Sequence, residues 1–501
     1  MSQNTSNKLG TEKISRLLFQ LALPAITAQI INMLYNIVDR IYIGHIAGIG
    51  TLALTGVGVC FPIIILITAF SSLIGMGGAP QASIRMGEQN MKEAERILGN
   101  CFAALLLLAA TLTALFLVGG RTFLQLFGAS GDTLPYAMEY LNIYVIGTLF
   151  VMISLGLNSF ISAQGFAKIS MFTVVIGAVI NIVLDPILIF GLHMGVRGAA
   201  LATIISQCVS AVWVLKFLTG PKTTLKIRFA NMRISKQILL PVLALGLAPF
   251  IMQSTESLLS ICFNTSLQKY GGDLAVGSMT ILTSIMQVLS LPLSGLTQGA
   301  QPIVSYNFGA GNKDRVKQAF RLLFISCVTF STLYWLLNMV SPGLLVGIFA
   351  SEKALKDMAS WALRIYLAAG FMMGIQLACQ QTFVAIGQAK ISLFLALLRK
   401  IILLIPLIYI LPNFFADKVF AVFLAEPISD FLAASTTFTL FHRRFNKVLN
   451  ERQALLEKKY NSGTLRKRMI EHESFRTAIQ TSYIGRCSFR YAGHYLPHKK
   501  C

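Results

Sequence analysis

The stretch ILGNCFAALLLLAATLTALFLV, residues 97–118, runs for 22 residues without a charged side chain. An α-helix of about 20 mainly apolar residues crosses the roughly 30 Å hydrocarbon core of a bilayer. Similar runs recur along the 501-residue chain, which is 55% apolar and only 12% charged, whereas an average soluble domain has about 25% charged residues. The composition therefore excludes a soluble multidomain enzyme and a disordered protein, and it predicts an all-α polytopic membrane protein.

Apolar runs that are separated by charged or turn-rich breaks predict twelve transmembrane helices. These spans are 17–44, 51–79, 97–118, 136–162, 169–191, 197–219, 238–266, 274–304, 320–341, 358–386, 391–412 and 416–440. Proline and glycine recur inside them, and a bilayer tolerates such breaks only where neighbouring helices or a cavity satisfy the freed backbone groups.

The basic residues predict the orientation. The net charge of +22 would also suit a nucleic-acid binder, but about 21 Lys and Arg residues fall on one side of the predicted spans and about 6 on the other. The positive-inside rule then places both termini in the cytoplasm. Residues 1–15 are polar and do not resemble a signal peptide, so we expect the first span to direct insertion into the cell (inner) membrane. No nucleic-acid partner is expected.

The chain also repeats itself at a shift of about 222 residues. Residues 163–170 (AQGFAKIS) align with residues 385–392 (AIGQAKIS), with Lys168 on Lys390. Six spans separate the copies, so the predicted repeat is parallel. The predicted domains are a cytoplasmic N-terminus, a first six-helix lobe, a cytoplasmic linker, a second six-helix lobe and a basic, poorly ordered tail, at 1–16, 17–219, 220–237, 238–441 and 442–501.

Such a repeat is typical of transporters whose substrate site lies between the two halves. A gene duplication without mechanical meaning, or a channel, would show the same repeat. The sequence has no pore-like filter motif, which favours the transporter.

Polar residues inside the spans mark the candidate site, because an ionisable side chain at the centre of a span costs about 2.5–3.5 kcal/mol on insertion scales. In the first span, steps of three and four residues place Gln29, Asn32, Asn36 and Asp39 on one helix face. An alternative is that Asp39 only pairs with Arg40, but adjacent residues on a helix do not face each other.

The fifth and sixth spans add a second polar set. Asn181 and Asp185 lie four residues apart, as do Thr203 and Gln207. Asp185 could instead end its helix as an Asp-Pro turn, and Thr203 and Gln207 could form ordinary interhelical hydrogen bonds. Two carboxylates among hydroxyl and amide oxygens suit a proton or a small monovalent cation such as sodium, and not a transition metal. Burial favours the protonated carboxyl and a bound cation the charged one, so the two ions would compete for one site.

The second half has a different polar set. Gln253 and Glu256 share a face of the seventh span, and Glu426 lies in the twelfth. Glu256 has no obvious local partner in the sequence, which favours a function. Glu426 precedes a proline and could simply shape a kink. Arg399 and Lys400, near a helix end, are expected to extend towards the membrane surface.

Four stretches carry a family resemblance. They are LYNIVDRIYIG at 34–44, NIVLDPILIFG at 181–191 followed by GVRGAALAT at 195–203, and GAQPIVSYNFGAGN at 299–312. With them, residues 10–448 resemble the multidrug and toxic compound extrusion (MATE) family of transporters, in its bacterial drug-exporting branch.

The resemblance implies a non-enzymatic antiporter without a cofactor, which exports organic cations and other amphipathic drugs by alternating access and is driven by protons or sodium. It assigns the cation site to Asp39, Asn181, Asp185 and Thr203, and the acidic residue that some branches use in the seventh helix to Glu256. The chain departs from some sodium-coupled members in its tenth span, where Gln376, Gln380 and Gln381 are the polar residues. We expect drug-like substrates, lipid contact and a monomer. A flippase for lipid-linked glycans or lipid precursors is the alternative, although such a protein would require a strongly cationic central cavity for pyrophosphate.

Overall fold

The computed structural model describes residues 8–349 and 352–461. These residues are almost entirely helical and include no β-strand, which confirms the predicted all-α class. The chain divides into two compact units, the first ending at Arg444 and the second beginning at Phe445. The tail predicted to be poorly ordered lies, from residue 462 onward, outside the described residues.

The first half, defined as residues 14–219, contains seven α-helices. In chain order, α1 to α7 are Ile14–Gly44, Gly50–Gly87, Met91–Leu126, Leu134–Ile146, Thr148–Ala163, Ala167–Pro186 and Gly195–Thr219. A π-helical segment, Ile187–Gly191, extends α6 beyond Pro186, where the proline ring supplies no N–H to the α-helical ladder.

The second half, defined as residues 236–444, begins with a long helical segment that is kinked at Gly272, and its last helix continues beyond residue 444 to Asn461. In chain order, α8 to α15 are Lys236–Gly309, Lys313–Val340, Pro342–Val346, Lys353–Tyr366, Met372–Ala385, Ala389–Leu397, Ile405–Ile410 and Lys418–Asn461. A π-helical segment, Leu398–Leu404, joins α13 to α14.

The helices agree with a multi-pass membrane protein. In the described part of the chain, nine helices are long and apolar enough to cross a membrane, and α4 with α5 forms a tenth candidate that is bent by 56°. The 74-residue α8 covers the predicted seventh and eighth spans, and α11 with α12 covers the tenth. The architecture is therefore consistent with twelve spans.

Two helix breaks fall at glycines. The fourth span is broken near its middle at Gly147, between α4 and α5. The seventh and eighth spans are two helices that meet at a kink in α8 at Gly272, whose φ of 63° lies where a residue without a Cβ is favoured.

Glycines bring the two halves together along α1, α2 and α8. A Cβ on Gly246 of α8 would collide with the backbone of Leu73 in α2, and one on Gly299 of α8 would collide with the backbone of Ala22 in α1. Membrane helices pack closely where small residues let their backbones approach. The polar faces of α1 and α8 are held beside this contact.

The segment between the halves is anchored. The side-chain Oε1 of Gln164, which is completely buried, accepts hydrogen bonds from the backbone N–H groups of Thr224 and Leu225 at 2.8 and 2.9 Å, and from the Thr223 hydroxyl at 2.9 Å. The predicted linker 220–237 is thus fixed to the end of α5 at one of its ends.

Candidate functional site

The polar face of α1 is present as the sequence predicts. The Asn36 amide donates to the Asn32 carbonyl oxygen at 2.5 Å, and Asn32 is exposed, whereas Gln29, Asn36 and Asp39 are partly buried. No basic side chain in the described residues forms an ion pair with Asp39. Its neighbour Arg40 instead lies over the Phe61 ring, 4.8 Å from the centroid. The simple pairing of Asp39 with Arg40 is therefore not formed.

The end of α6 and the start of α7 bring the second polar set together. Asn181 and Asp185 are buried, with relative exposures of 1% and 0%. The Asn181 amide donates to Asp185 Oδ1 at 3.3 Å and, at 3.5 Å, to Thr203 Oγ1. The Thr203 hydroxyl in turn donates its proton to the Ala199 carbonyl at 3.0 Å. The Thr203 oxygen therefore acts as an acceptor towards the Asn181 amide.

The two aspartates are neighbours in space. Their carboxyl groups lie close to each other, although 146 residues of sequence separate Asp39 from Asp185. The structure thus brings Asp39, Asn181, Asp185 and Thr203 into one group, which we call the aspartate site.

The aspartate site contains acceptor oxygens that no protein group satisfies. In the described chain, Asp39 Oδ1, Asn181 Oδ1 and Asp185 Oδ2 are buried atoms without a hydrogen-bond partner. Buried polar atoms in native proteins nearly always have a partner, and leaving one unpaired costs about 1–3 kcal/mol. A proton or a small monovalent cation would relieve this cost. Among the described residues no cluster of three or more His, Cys, Asp or Glu side chains could hold a transition metal.

Sequence reasoning missed two tyrosines beside the aspartate site. Tyr140 of α4 is 4% exposed and lies close to Thr203 and to Asp39. Tyr35 of α1 faces both carboxylates. Tyr35 could have been found, because it precedes Asp39 by four residues on the same helix face. Tyr140 carried no comparable signal, since it belongs to another helix.

A cavity lined mainly by polar residues lies next to the aspartate site, one turn before it on α6 and one turn after it on α7. We call it the polar cavity. Its lining includes Asn32 from α1, Gly177 and Ala178 from α6, and Gln207 and Ser210 from α7. The Ser154 hydroxyl donates to Gln207 Oε1 at 2.6 Å. Gln207 therefore serves here as an interhelical hydrogen-bond acceptor, which is the alternative that the sequence left open.

The predicted residues of the second half form a separate group. The Gln253 amide donates to the Ser72 hydroxyl of α2 at 2.8 Å, which joins the two halves. Glu256 forms an ion pair with Lys400, whose ammonium also donates to the Met252 carbonyl at 2.8 Å. Glu256 has no local partner, as the sequence indicates, but it has a distant one that the sequence did not reveal, 144 residues away.

Arg399 and Lys400 also differ from expectation. They lie in the π-helical segment after α13, and their side chains are only 12% and 6% exposed instead of reaching towards the membrane surface. Arg399 Nε donates to Asp430 at 2.6 Å and its Nη2 donates to Glu426 at 3.3 Å. Glu426 thus has a charged partner and does more than shape a kink at its proline.

Comparison with known proteins identifies a family. The MatE family profile matches residues 24–187 and 249–410, which together make up more than half of the chain. The two matched segments correspond to the two halves of the structure.

Similar proteins agree with this match. The multidrug export protein MepA of Staphylococcus haemolyticus (strain JCSC1435) is 25% identical over 432 residues, covering 86% of this chain and 94% of that protein. The MepA protein of Staphylococcus aureus (strain N315) is 24% identical over 437 residues, covering 86% and 95%.

Solved structures share the fold. A crystal structure of MATE in the bent conformation superposes with a TM-score of 0.83 at 22% identity, covering 89% of this chain and 99% of that one. The outward-facing conformation of a multidrug resistance MATE family transporter of the MOP superfamily has a TM-score of 0.81 at 22% identity, covering 88% and 98%. At this level of identity the likeness concerns the fold alone.

Proposed function

This chain belongs to the MatE family of multidrug and toxic compound extrusion transporters, and from that premise we propose that it is an antiporter that exports organic cations and other amphipathic drugs in exchange for protons or sodium. It would work by alternating access as a monomer in the plasma membrane, with both termini in the cytoplasm. The relatives named MepA support the substrate class, since they are multidrug export proteins.

The unpaired oxygens of the aspartate site are the observation that carries this proposal. Asp39 Oδ1, Asn181 Oδ1 and Asp185 Oδ2 lack protein donors, and the Thr203 oxygen lies beside Asn181. Hard oxygen ligands of this kind suit a proton or a small monovalent cation. The site would therefore take up the coupling ion, and the amide and hydroxyl would hold the two carboxylates in place.

Coupling requires that the ion and the drug each bind the two conformations with different affinities. The aspartate site joins α1 to α6 and α7, while α1 also packs against α8 of the second half. An ion that draws Asp39 towards Asp185 would change the position of α1 relative to α8. Ion binding at the aspartate site would in this way change the cleft between the two halves, where we expect the drug to bind.

The alternative of a lipid-precursor flippase is less well supported. A pyrophosphate headgroup requires unpaired cationic side chains in the cleft. The intramembrane Arg399 and Lys400 are instead buried and paired with carboxylates. The family match does not favour this alternative either.

Transport in proteoliposomes tests the proposal. The purified protein is reconstituted, and uptake of tetraphenylphosphonium is driven by an imposed proton gradient and, separately, by an imposed sodium gradient. We expect one gradient to drive uptake, and we expect Asp39→Asn and Asp185→Asn to abolish it. Glu139→Gln, which alters an acid in the Arg197 ion pair of the same half, is the matched control and should transport normally. Full activity of Asp39→Asn would refute the proposal.

A further inference from the structure

Five charged side chains meet inside the second half. They form a connected group in which Lys400 pairs with Glu256 and Arg399 pairs with both Glu426 and Asp430. The side chains of Lys400, Arg399, Glu426 and Asp430 are between 4% and 12% exposed, whereas that of Glu256 is 62% exposed. The aromatic ring of Tyr366 lies beside this group. We call it the paired cluster.

The internal repeat shows what the paired cluster replaces. The shift of 222 residues that places Lys168 on Lys390 also places Gly177 on Arg399 and Ala178 on Lys400. Gly177 and Ala178 line the polar cavity of the first half. At these positions the first half has glycine and alanine and a cavity, whereas the second half has two long cationic side chains, Arg399 and Lys400.

The two halves also differ in how their carboxylates are compensated. The aspartate site has no basic partner within ion-pair distance in the described residues, and it retains unpaired acceptor oxygens. In the paired cluster each carboxylate has a protein cation, and no carboxylate oxygen of the cluster remains buried without a partner there. Charges taken out of water need such a partner, because desolvation costs several kcal/mol per ion.

From this contrast we propose that Arg399 and Lys400 are built-in cations that occupy the carboxylates of the second half permanently, so that ion exchange is confined to the aspartate site of the first half. This inference rests on the proposed function, because it concerns how many coupling ions one transport cycle exchanges. Lys400 and Arg399 act as positioning residues that set this number and do not touch the drug.

The proposal predicts an unusual response to substitution. Glu256→Gln and Glu426→Gln should leave ion exchange unchanged, because their carboxylates already have protein cations. Arg399→Met should instead create a second exchange site, because Glu426 and Asp430, whose side chains are 6% and 4% exposed, then lack their cation and require a proton or sodium in its place. Combining Arg399→Met with Glu426→Gln and Asp430→Asn should remove that second site again.

The number of ions displaced per chain tests this directly. Detergent-solubilised full-length protein is saturated with tetraphenylphosphonium, and released protons are counted with an indicator dye in weak buffer, while released sodium is counted with ²²Na⁺. We expect wild type, Glu256→Gln, Glu426→Gln and the triple variant to release the same number, and Arg399→Met to release about one more.

Each result has a clear meaning. Loss of one released ion in Glu256→Gln or Glu426→Gln, or no gain in folded Arg399→Met, would overturn the inference. Should Arg399→Met fail to fold, the two glutamate variants still decide, because both keep the built-in cations. An unaltered release from Asp39→Asn would instead contradict the proposed function, so the two failures are distinguishable.

Discussion

At the scale of single residues, the aspartate site combines side chains that were expected with some that were not. The stripe on α1 and the Asn181–Asp185 spacing on α6 place two carboxylates on the inner faces of their helices, and the structure joins them. Tyr140 completes this environment from α4, where it is buried and reaches Thr203. The Thr203 hydroxyl donates to the Ala199 carbonyl, and the Tyr140 hydroxyl lies close to the Thr203 oxygen that this leaves as an acceptor.

Removing that hydroxyl should weaken binding of the coupling ion without abolishing transport. A neutral hydrogen bond contributes about 1 kcal/mol, so Tyr140→Phe should raise the ion concentration for half-maximal drug exchange about five-fold. Tyr136→Phe, one turn earlier on α4, is the control and should behave as wild type. The measurement is tetraphenylphosphonium counterflow in proteoliposomes over a range of ion concentrations. An unchanged half-maximal concentration in Tyr140→Phe would show that the hydroxyl does not support the ion site.

At the scale of helices, the sequence predicted what depends on local composition. Apolar runs gave the positions of the spans, and a 3.6-residue period gave the polar face of α1. The predicted break between the seventh and eighth spans is present as the kink of α8 at Gly272. The sequence did not predict that α4 and α5 bend at Gly147. That bend depends on packing against distant helices. The pairing of Glu256 with Lys400 was missed for the same reason, since no periodicity relates residues 144 positions apart.

Helix packing itself can be tested at Gly246. Gly246→Ala places a methyl group into the Leu73 backbone of α2, and overpacking of this kind costs about 1–3 kcal/mol. Gly58→Ala is the matched control, because a Cβ there meets nothing within 4 Å and a helical alanine is favoured over glycine by about 0.5–1 kcal/mol. Thermal unfolding in detergent should therefore show a lower midpoint for Gly246→Ala and an equal or higher one for Gly58→Ala. Equal midpoints for Gly246→Ala and wild type would mean that α2 and α8 are not closely packed.

At the scale of the whole molecule, the two halves share one helical plan and differ in chemistry. Both put a polar face on their first helix, at Gln29 and Asn32 in one half and at Gln253 and Glu256 in the other. One half then leaves its acids without basic partners, and the other supplies Arg399 and Lys400. The 222-residue shift thus relates a cavity lined by Gly177 and Ala178 in one half to the charged side chains of Arg399 and Lys400 in the other.

This interpretation requires that the halves have the same orientation in the membrane, which cysteine labelling can test. Residues related by the 222-residue shift should face the same side: Lys92 and Asp314 the cytoplasm, and Gly131 and Lys353 the outside. All four are exposed, and the excess of basic residues fixes the direction. In a background with Cys487 and Cys501 replaced by serine, an impermeant maleimide should label Gly131→Cys and Lys353→Cys in intact cells. Lys92→Cys and Asp314→Cys should react only after permeabilisation. If the members of either pair were labelled from opposite sides, the repeat would be inverted, and the equivalence of Gly177 with Arg399 would no longer hold.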